Sequence, residues 1–493
     1  MINRLRRFNP KVTILCVAAF VLATAIAWGV FGALPHLEDE QANVFQAKVF
    51  AGGRVTVDMP RVQPGAFYIP FIVQYNGRQF GKYPPGYPLV LALGELIGQP
   101  WLINSIAAAL GVLGVYLLGR DLFDEDTGLL AAALGATSPM FVMLSGSLLA
   151  HSTTLVALVF FTWAFVRARR SDEPHPYRFA VLAGVSIGWA TITRPFTAIV
   201  IGGPFVLIVL FDLIRRRPLL PMYVRMAIAF ALIFSLWPLF NTLATGSPLT
   251  NTYALWWPSD VIGFGPQAGF AGGHTWARAL IDLKQDFPEF GETFLGWPSV
   301  LGLPLAWLPV ALGLVWPKFD KRAWGLVCLV LLLVAAYMAY WAHSGGGVYG
   351  PRYYSEGLPF LWLVAARGLL KLGATIRPRR LIKAALPVLL LWSVVMATYP
   401  RMLGGFQLFN ITRRDAGLIA GANIHHALVF VRSPHWTAYA SLGWLNQPNL
   451  SDGDIIFAQD LGSLANQYLK QAYPDRQVYY YDRESSIPLV AAR

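Results

Sequence analysis

The sequence predicts an all-α polytopic membrane protein of about eleven transmembrane helices, with its long loops on one face and a small α/β unit at the C-terminal end. Three observations carry this. Hydrophobic residues make up 56% of the 493 positions and charged residues only 13%, where an ordinary soluble domain is about one quarter charged. Apolar runs approaching the roughly twenty residues needed to span a bilayer recur along most of the chain. Lys and Arg gather in short clusters between those runs, on alternate connections. The formal net charge of +13 therefore reads as an orientation signal, and nucleic acid is not an expected partner.

The first run, 12–34, follows a basic start, lacks a small-residue cleavage site and exceeds a signal-peptide core, so it is read as a retained helix. The others fall at 101–119, 128–144, 148–166, 179–192, 196–213, 226–243, 300–316, 323–341, 357–370 and 384–399. Runs 179–192 and 357–370 are short for a span and are expected to extend into flanking residues.

With the N-terminus in the cytoplasm, Arg4, Arg6, Arg7 and Lys11 lie inside, and the same side receives Arg120, then Arg167, Arg169, Arg170 and Arg178. It also receives Arg215, Arg216, Arg217 and Arg225, then Lys318, Lys321 and Arg322, then Lys371, Arg377, Arg379, Arg380 and Lys383. This obeys the positive-inside rule at every turn. The outer face then holds the loop 35–100, the loop 244–299, the short loop 342–356 and the tail. The chain thus divides into a transmembrane part, 1–400, and a tail, 401–493. Residues 86–98 form an apolar stretch too short to span, expected to lie in the interface or re-enter the membrane.

In the tail, Ala427-Leu428-Val429-Phe430-Val431 and Asp454-Ile455-Ile456-Phe457-Ala458 read as strands, 462–472 as a helix, and Gln477-Val478-Tyr479-Tyr480-Tyr481 as a third strand. That is the spacing of a small α/β unit.

Residues suited to chemistry cluster on the outer loops. Glu38-Asp39-Glu40 places three carboxylates just beyond the first helix, where desolvation and mutual repulsion raise at least one pKa and suit a general base. A solvated acidic turn capping a helix over 41–50 is the competing reading. Gly345-Gly346-Gly347-Val348-Tyr349-Gly350-Pro351-Arg352-Tyr353-Tyr354-Ser355-Glu356 is a glycine-rich loop entering an apolar helix. Its backbone can approach a ligand closely, and Arg352 presents a fork of donors suited to phosphate. Arg78 and Lys82 precede the 86–98 stretch, with Tyr83-Pro84-Pro85 setting its entry angle, and Lys82 suits an anionic lipid headgroup. Arg194 is an unusual outward cation placed to line the same cavity. His151 opens the fourth run, where an intramembrane polar residue is either functional or simply hydrogen-bonded. Trp256, Trp257 and Tyr253 suit either a sugar ring or an interfacial aromatic belt. Cys16 and Cys328 lie far apart in apolar stretches, and His425-His426 lacks accompanying ligands, so no metal site is expected.

The chain resembles the GT-C glycosyltransferases, particularly the protein O-mannosyltransferases, the aminoarabinose transferases and their bacterial relatives (glycosyltransferase family 39). The resemblance rests on a first helix followed by Asp39-Glu40, on Tyr83-Pro84-Pro85-Gly86-Tyr87-Pro88, on Asn104-Ser105-Ile106 leading to Tyr116 and Arg120, and on Gly350-Pro351-Arg352-Tyr353 before a late helix. It covers roughly the first two hundred residues plus that late loop. It implies transfer of a sugar from a polyprenyl-phosphate donor to a glycan, lipid or protein acceptor at the periplasmic face of a bacterial inner membrane. Asp39 or Glu40 is then the base. Arg352, Lys82, Arg78 and Arg194 serve the donor phosphate, and Glu38, His151, Tyr83, Tyr353 and Glu356 stand near the substrates. No cofactor is strictly required, a divalent cation being possible but not indicated. One departure concerns 145–151, which lacks the acidic residue that protein O-mannosyltransferases carry in their second outer loop and leaves His151 as the titratable group there.

Two other classes remain: a transporter or flippase of a lipid-linked saccharide, and an assembly protein whose tail binds a partner. Transporters carry charged groups and broken helices near the bilayer centre. The cores of the expected spans hold almost no ionisable residue, which favours an enzyme.

Overall fold

The structure, a computed structural model, describes residues 9–215, 217–300, 302–315, 319–342, 347–375 and 379–492. Arg4, Arg6, Arg7, Arg216, Lys318, Gly345, Gly346 and Arg377 lie outside the described residues.

Helix α1 (Pro10–Gly29) opens on Asn9, whose side chain accepts the Lys11 amide, with Pro10 in the first turn where its missing N–H costs nothing. After a tight turn, α2 (Glu38–Ala51) carries all three acids in its first turn. A three-stranded antiparallel sheet follows, β1 (Val57–Asp58), β2 (Ile72–Tyr75) and β3 (Arg78–Gly81), in the order β1-β3-β2. Its β2–β3 hairpin turns on Asn76 and Gly77 at φ 48° and 75°, the pairing that a two-residue turn with both residues left-handed favours.

The bundle then runs through α3 (Gly86–Leu96), α4 (Leu102–Leu122), α5 (Glu125–Ala136), α6 (Pro139–Gly146), α7 (His151–Ala168), α8 (Pro176–Thr193) and α9 (Pro195–Arg215). It continues with α10 (Leu220–Phe234), α11 (Leu236–Thr245), the short α12 (Thr252–Trp256) and the amphipathic α13 (Trp276–Leu295). A small ladder of β4 (Ser299–Val300) and β5 (Leu303–Pro304) precedes α14 (Trp307–Val315), α15 (Lys321–Tyr337), α16 (Leu358–Thr375), α17 (Arg379–Trp392) and α18 (Tyr399–Gly405).

Among the described residues seven helices are long and apolar enough to cross a membrane, or eight if α5 and α6, bent by 59°, form one span. This is an integral multi-pass membrane protein. The expected count of eleven differs by three runs, each of which yields a helix. Run 300–316 yields α14 of nine residues and 323–341 yields α15 of 17 residues, both short of a span. Run 179–192 becomes α8, whose Tyr177, Arg178, Ser186, Thr191 and Thr193 dilute its apolar character. The stretch 86–98 is α3, eleven residues and too short to cross.

Trp362 of α16 is fully buried at the centre of the helical core, edge-on to Phe141 at 5.3 Å. Small residues set the closest crossings, as in membrane bundles generally. A Cβ on Gly128 of α5 would stand 2.5 Å from the Tyr116 carbonyl of α4.

The tail adds α19 (Arg413–Gly421), β6 (Ala427–Val431), α20 (Trp436–Gly443), β7 (Ile455–Gln459), α21 (Ser463–Ala472), β8 (Gln477–Tyr481) and β9 (Leu489–Ala491). Its sheet has the order β7-β6-β8-β9, parallel in the first three strands and antiparallel at β9. Every residue of the central strand β6 is buried, which is why it reads as an unbroken apolar run. The unit packs on the first loop: the Gln459 amide donates to the Tyr68 carbonyl at 3.0 Å, and a His36 ring nitrogen meets the Ile411 carbonyl at 3.1 Å.

Replacing Gly128 by Val forces α4 and α5 apart, and we expect a loss of about 1–3 kcal/mol. Thermal unfolding in detergent checks this; an unchanged midpoint means the helices do not touch there.

Candidate functional site

The acids of α2 take different roles. Glu40 is fully buried, and its carboxylate accepts the amides of His36 at 2.6 Å, Leu37 at 3.0 Å and Leu148 at 2.8 Å. It closes the N-terminus of its own helix and ties it to the α6–α7 connection. Asp39 instead turns into a cleft, where it accepts the Tyr83 hydroxyl and, at 3.1 Å, a guanidinium N–H of Arg352. Glu38 is half-buried beside them and outside that cleft.

Tyr83 arrives on the segment linking β3 to α3. Gly86 lets that segment seat on the end of α8: a Cβ there would lie 2.7 Å from the Ile192 carbonyl. The same contact brings Arg194, at the C-cap of α8, to the cleft. Arg352 is placed by Gly350, whose φ of +69° and close approach to Thr293, 2.7 Å from a built Cβ, leave no room for a side chain.

Beneath Arg352 lies a buried polar network. Glu356 meets Arg194 at 3.0 Å and His151 at 3.1 Å. Arg194 also donates to the Tyr337 hydroxyl at 3.0 Å, and Tyr337 stacks on Tyr353 with rings 5.2 Å apart. Lys82 is buried against Asp260 at 3.2 Å, its ammonium 3.6 Å from the centre of the Phe71 ring. Asp260 is further held by Tyr340 and Trp341, at 3.0 and 3.2 Å.

The cleft has a volume of about 50 Å³ and is lined by Asp39, Asn43, Tyr83, Tyr87, His151, Arg194, Tyr253, Arg352 and Tyr353 among others. Of the residues singled out in the sequence, Asp39, Arg352, Arg194, His151, Tyr83 and Tyr353 therefore meet, with Glu356 behind them. Glu40 is committed to backbone amides, and Lys82 to Asp260. Arg78 does not join them: it is exposed on β3 and donates to the Leu243 carbonyl at 2.7 Å. Sequence reasoning missed Asp260, Tyr337 and Asn43. Asp260 carried one legible signal, an acid flanked by aromatics in the second long loop; the other two look like ordinary helix residues.

Burial raises the Asp39 carboxyl, but Arg352, the Tyr83 hydroxyl and Lys82 outweigh it and hold the pKa below the ordinary 3.8. Burial and the neighbouring Asp39 push Tyr83 well above its usual range, so it remains a donor. Among the described residues no group of three or more His, Cys, Asp or Glu side chains is placed to hold a metal ion.

The family described as dolichyl-phosphate-mannose-protein mannosyltransferase matches residues 82–239. ArnT from Cupriavidus metallidurans, solved bound to undecaprenyl phosphate, superposes with a TM-score of 0.56 at 12% identity, over 95% of this chain and 93% of that one. Its apo form gives the same TM-score and identity, over 95% and 92%. The fold is that of the GT-C superfamily. The oligosaccharyltransferase AglB from Archaeoglobus fulgidus, solved with an inhibitory peptide and a dolichol-phosphate, has a TM-score of 0.47 at 13% identity, over 95% of this chain and 69% of that one. No curated protein sequence matches this chain.

Because the folded Asp39 has a lowered pKa, its pairing contributes stability that is complete above the unfolded value near 3.8 and is lost as pH falls through the folded value. Thermal unfolding of the native chain and Asp39→Asn, compared between about pH 6 and about pH 3, should show a difference that shrinks on acidification. A difference that grows would reverse the assignment.

Proposed function

We propose that this chain is a membrane glycosyltransferase that moves a sugar from a polyprenyl-phosphate donor to an acceptor at the face of the membrane turned away from the cytoplasm, in a bacterial inner membrane. The observation that carries the reading is the meeting of one carboxylate, Asp39, with the guanidinium of Arg352 inside a cleft that also holds Arg194. Glycosyl transfer from a lipid phosphate needs both functions at one place: a base for the acceptor proton, and cations for the phosphate that departs.

As the acceptor oxygen bonds to the anomeric carbon, the bond from that carbon to the phosphate oxygen breaks. The acceptor proton passes to Asp39, and the electron pair leaves with the polyprenyl phosphate. Charge grows on that phosphate during the step, so a cation fixed beforehand favours the transition state over the bound donor. The scheme demands no cofactor.

Paired as it is with Arg352 and Tyr83, Asp39 is a weak base, since both stabilise its charge. A donor phosphate competes for Arg352. Once the guanidinium turns to it, burial dominates at Asp39 and its pKa rises toward the range a base requires. Donor binding thus activates the base. Glu40, whose oxygens are committed to three backbone amides, supports Asp39 from behind.

The test is transfer from radiolabelled polyprenyl-phosphate sugars into membrane extracts. Asp39→Asn should fold and lose about 10²–10⁴-fold in rate, the usual contribution of a general base. Arg352→Gln should lose about 10²–10³-fold. Transfer at the native rate by Asp39→Asn overturns the assignment. Glu40→Ala, by contrast, should fail chiefly through stability, because each stranded amide costs about 1–3 kcal/mol; its signature is a lowered unfolding midpoint.

A further inference from the structure

A second, larger cavity, about 470 Å³, opens where two spans end, apart from the residues that line the Asp39 cleft. One wall is the end of α1 and the turn that follows it, from Trp28 to Leu34. The other is the end of the candidate span Ala384–Asn410 and the start of α19. A cavity bounded by the exits of two spans sits at the depth of lipid headgroups, and the exposed Trp28 and Phe406 at its edges suit that depth.

Its walls carry three guanidinium groups, Arg413, Arg414 and Arg483, against the carboxylates of Asp415 and Glu484. Asp415 is buried and already taken by Arg483 and the Tyr481 hydroxyl, while Glu484 is exposed. Arg413 is oriented without a carboxylate: its Nε donates at 2.5 Å to the Gly32 carbonyl, and its guanidinium lies 3.8 Å from the centre of the Trp28 ring. Among the described residues neither Arg413 nor Arg414 has an acidic side chain within ion-pair distance.

The backbone on both walls is held in an unusual conformation. Ala33 on one side and Gln407, Phe409 and Asn410 on the other take φ of 55°, 57°, 56° and 58°. Each such residue costs on the order of 1 kcal/mol, and they persist only where surrounding contacts over-determine them.

We infer that this cavity binds the phosphate of an anionic membrane lipid, with Arg413 and Arg414 as its donors and Trp28 as the aromatic edge. Planar guanidinium groups match phosphate oxygens two at a time, and a cation without an acidic partner is free to make that contact. The apolar rim receives the first carbons of the acyl chains. The site is independent of the transfer reaction and holds whether or not the Asp39 cleft is catalytic.

The experiment titrates the purified full chain, in neutral detergent, with dihexanoyl-phosphatidylglycerol, with dihexanoyl-phosphatidylcholine and with inorganic phosphate, following the unfolding midpoint. The anionic lipid should raise the midpoint, and the zwitterionic lipid and inorganic phosphate should not. Arg413→Gln or Arg414→Gln should weaken the apparent affinity about fivefold each, and the pair about thirtyfold. Arg414→Gln guards against loss of folding, since that side chain is exposed. Equal affinity in the native chain and the double variant overturns the site. A shift reproduced by inorganic phosphate alone overturns its assignment to lipid.

Discussion

The contact between Asp39 and Arg352 joins positions 313 residues apart, and the arrangement of this end of the bundle depends on it. Charged groups removed from water are costly unless they are paired and hydrogen-bonded. A chain with so few charges has correspondingly few ways to satisfy them. Arg352 finds Asp39, Arg194 finds Glu356, and Lys82 finds Asp260; each partner comes from a distant segment. Such pairs are weak sources of net stability, since desolvation offsets most of the attraction. What they supply is register: only one docking of the first loop, the α8–α9 junction, the second long loop and the late loop satisfies all three at once.

That register rests on backbone that comes unusually close. Gly86 seats the Tyr83 segment on α8, and Gly350 seats the Arg352 loop on α13. A methyl group at either position would displace a charged side chain from the cleft by pushing its carrier outward. The two glycines are therefore positional counterparts of the cations beside them, and the tail unit, packed on the first loop through Tyr68 and Ile411, closes the assembly from the other side.

Much of this was legible in the sequence. Spans such as those over α1, α4, α7 and α9 follow from uninterrupted apolar runs, and β6, β7, α21 and β8 from local patterning in the tail. The hairpin of the first loop was also written there, in Asn76-Gly77 between Ile72-Val73-Gln74-Tyr75 and Arg78-Gln79-Phe80-Gly81, though the surrounding cations drew the reading toward charge instead. Among the site residues, Asp39 stood out within a run of three carboxylates, Arg352 in a glycine-rich loop and Arg194 as a cation where few were expected. Arg78 stood out as a cation before the 86–98 stretch and went elsewhere, to a carbonyl at the end of α11.

What the sequence determined by itself is the class of molecule. Membrane crossing and helix formation are properties of contiguous segments, so about twenty apolar neighbours suffice to declare them. Tertiary structure alone decided which of three adjacent carboxylates faces the cleft, why Glu40 is spent on amides while Asp39 is not, and which acid neutralises Lys82. Neighbouring residues at the start of a helix point about 100° apart. Their environments are set by whatever packs against each direction, and here those surroundings come from residues 83, 148 and 352, which no local pattern around position 39 contains.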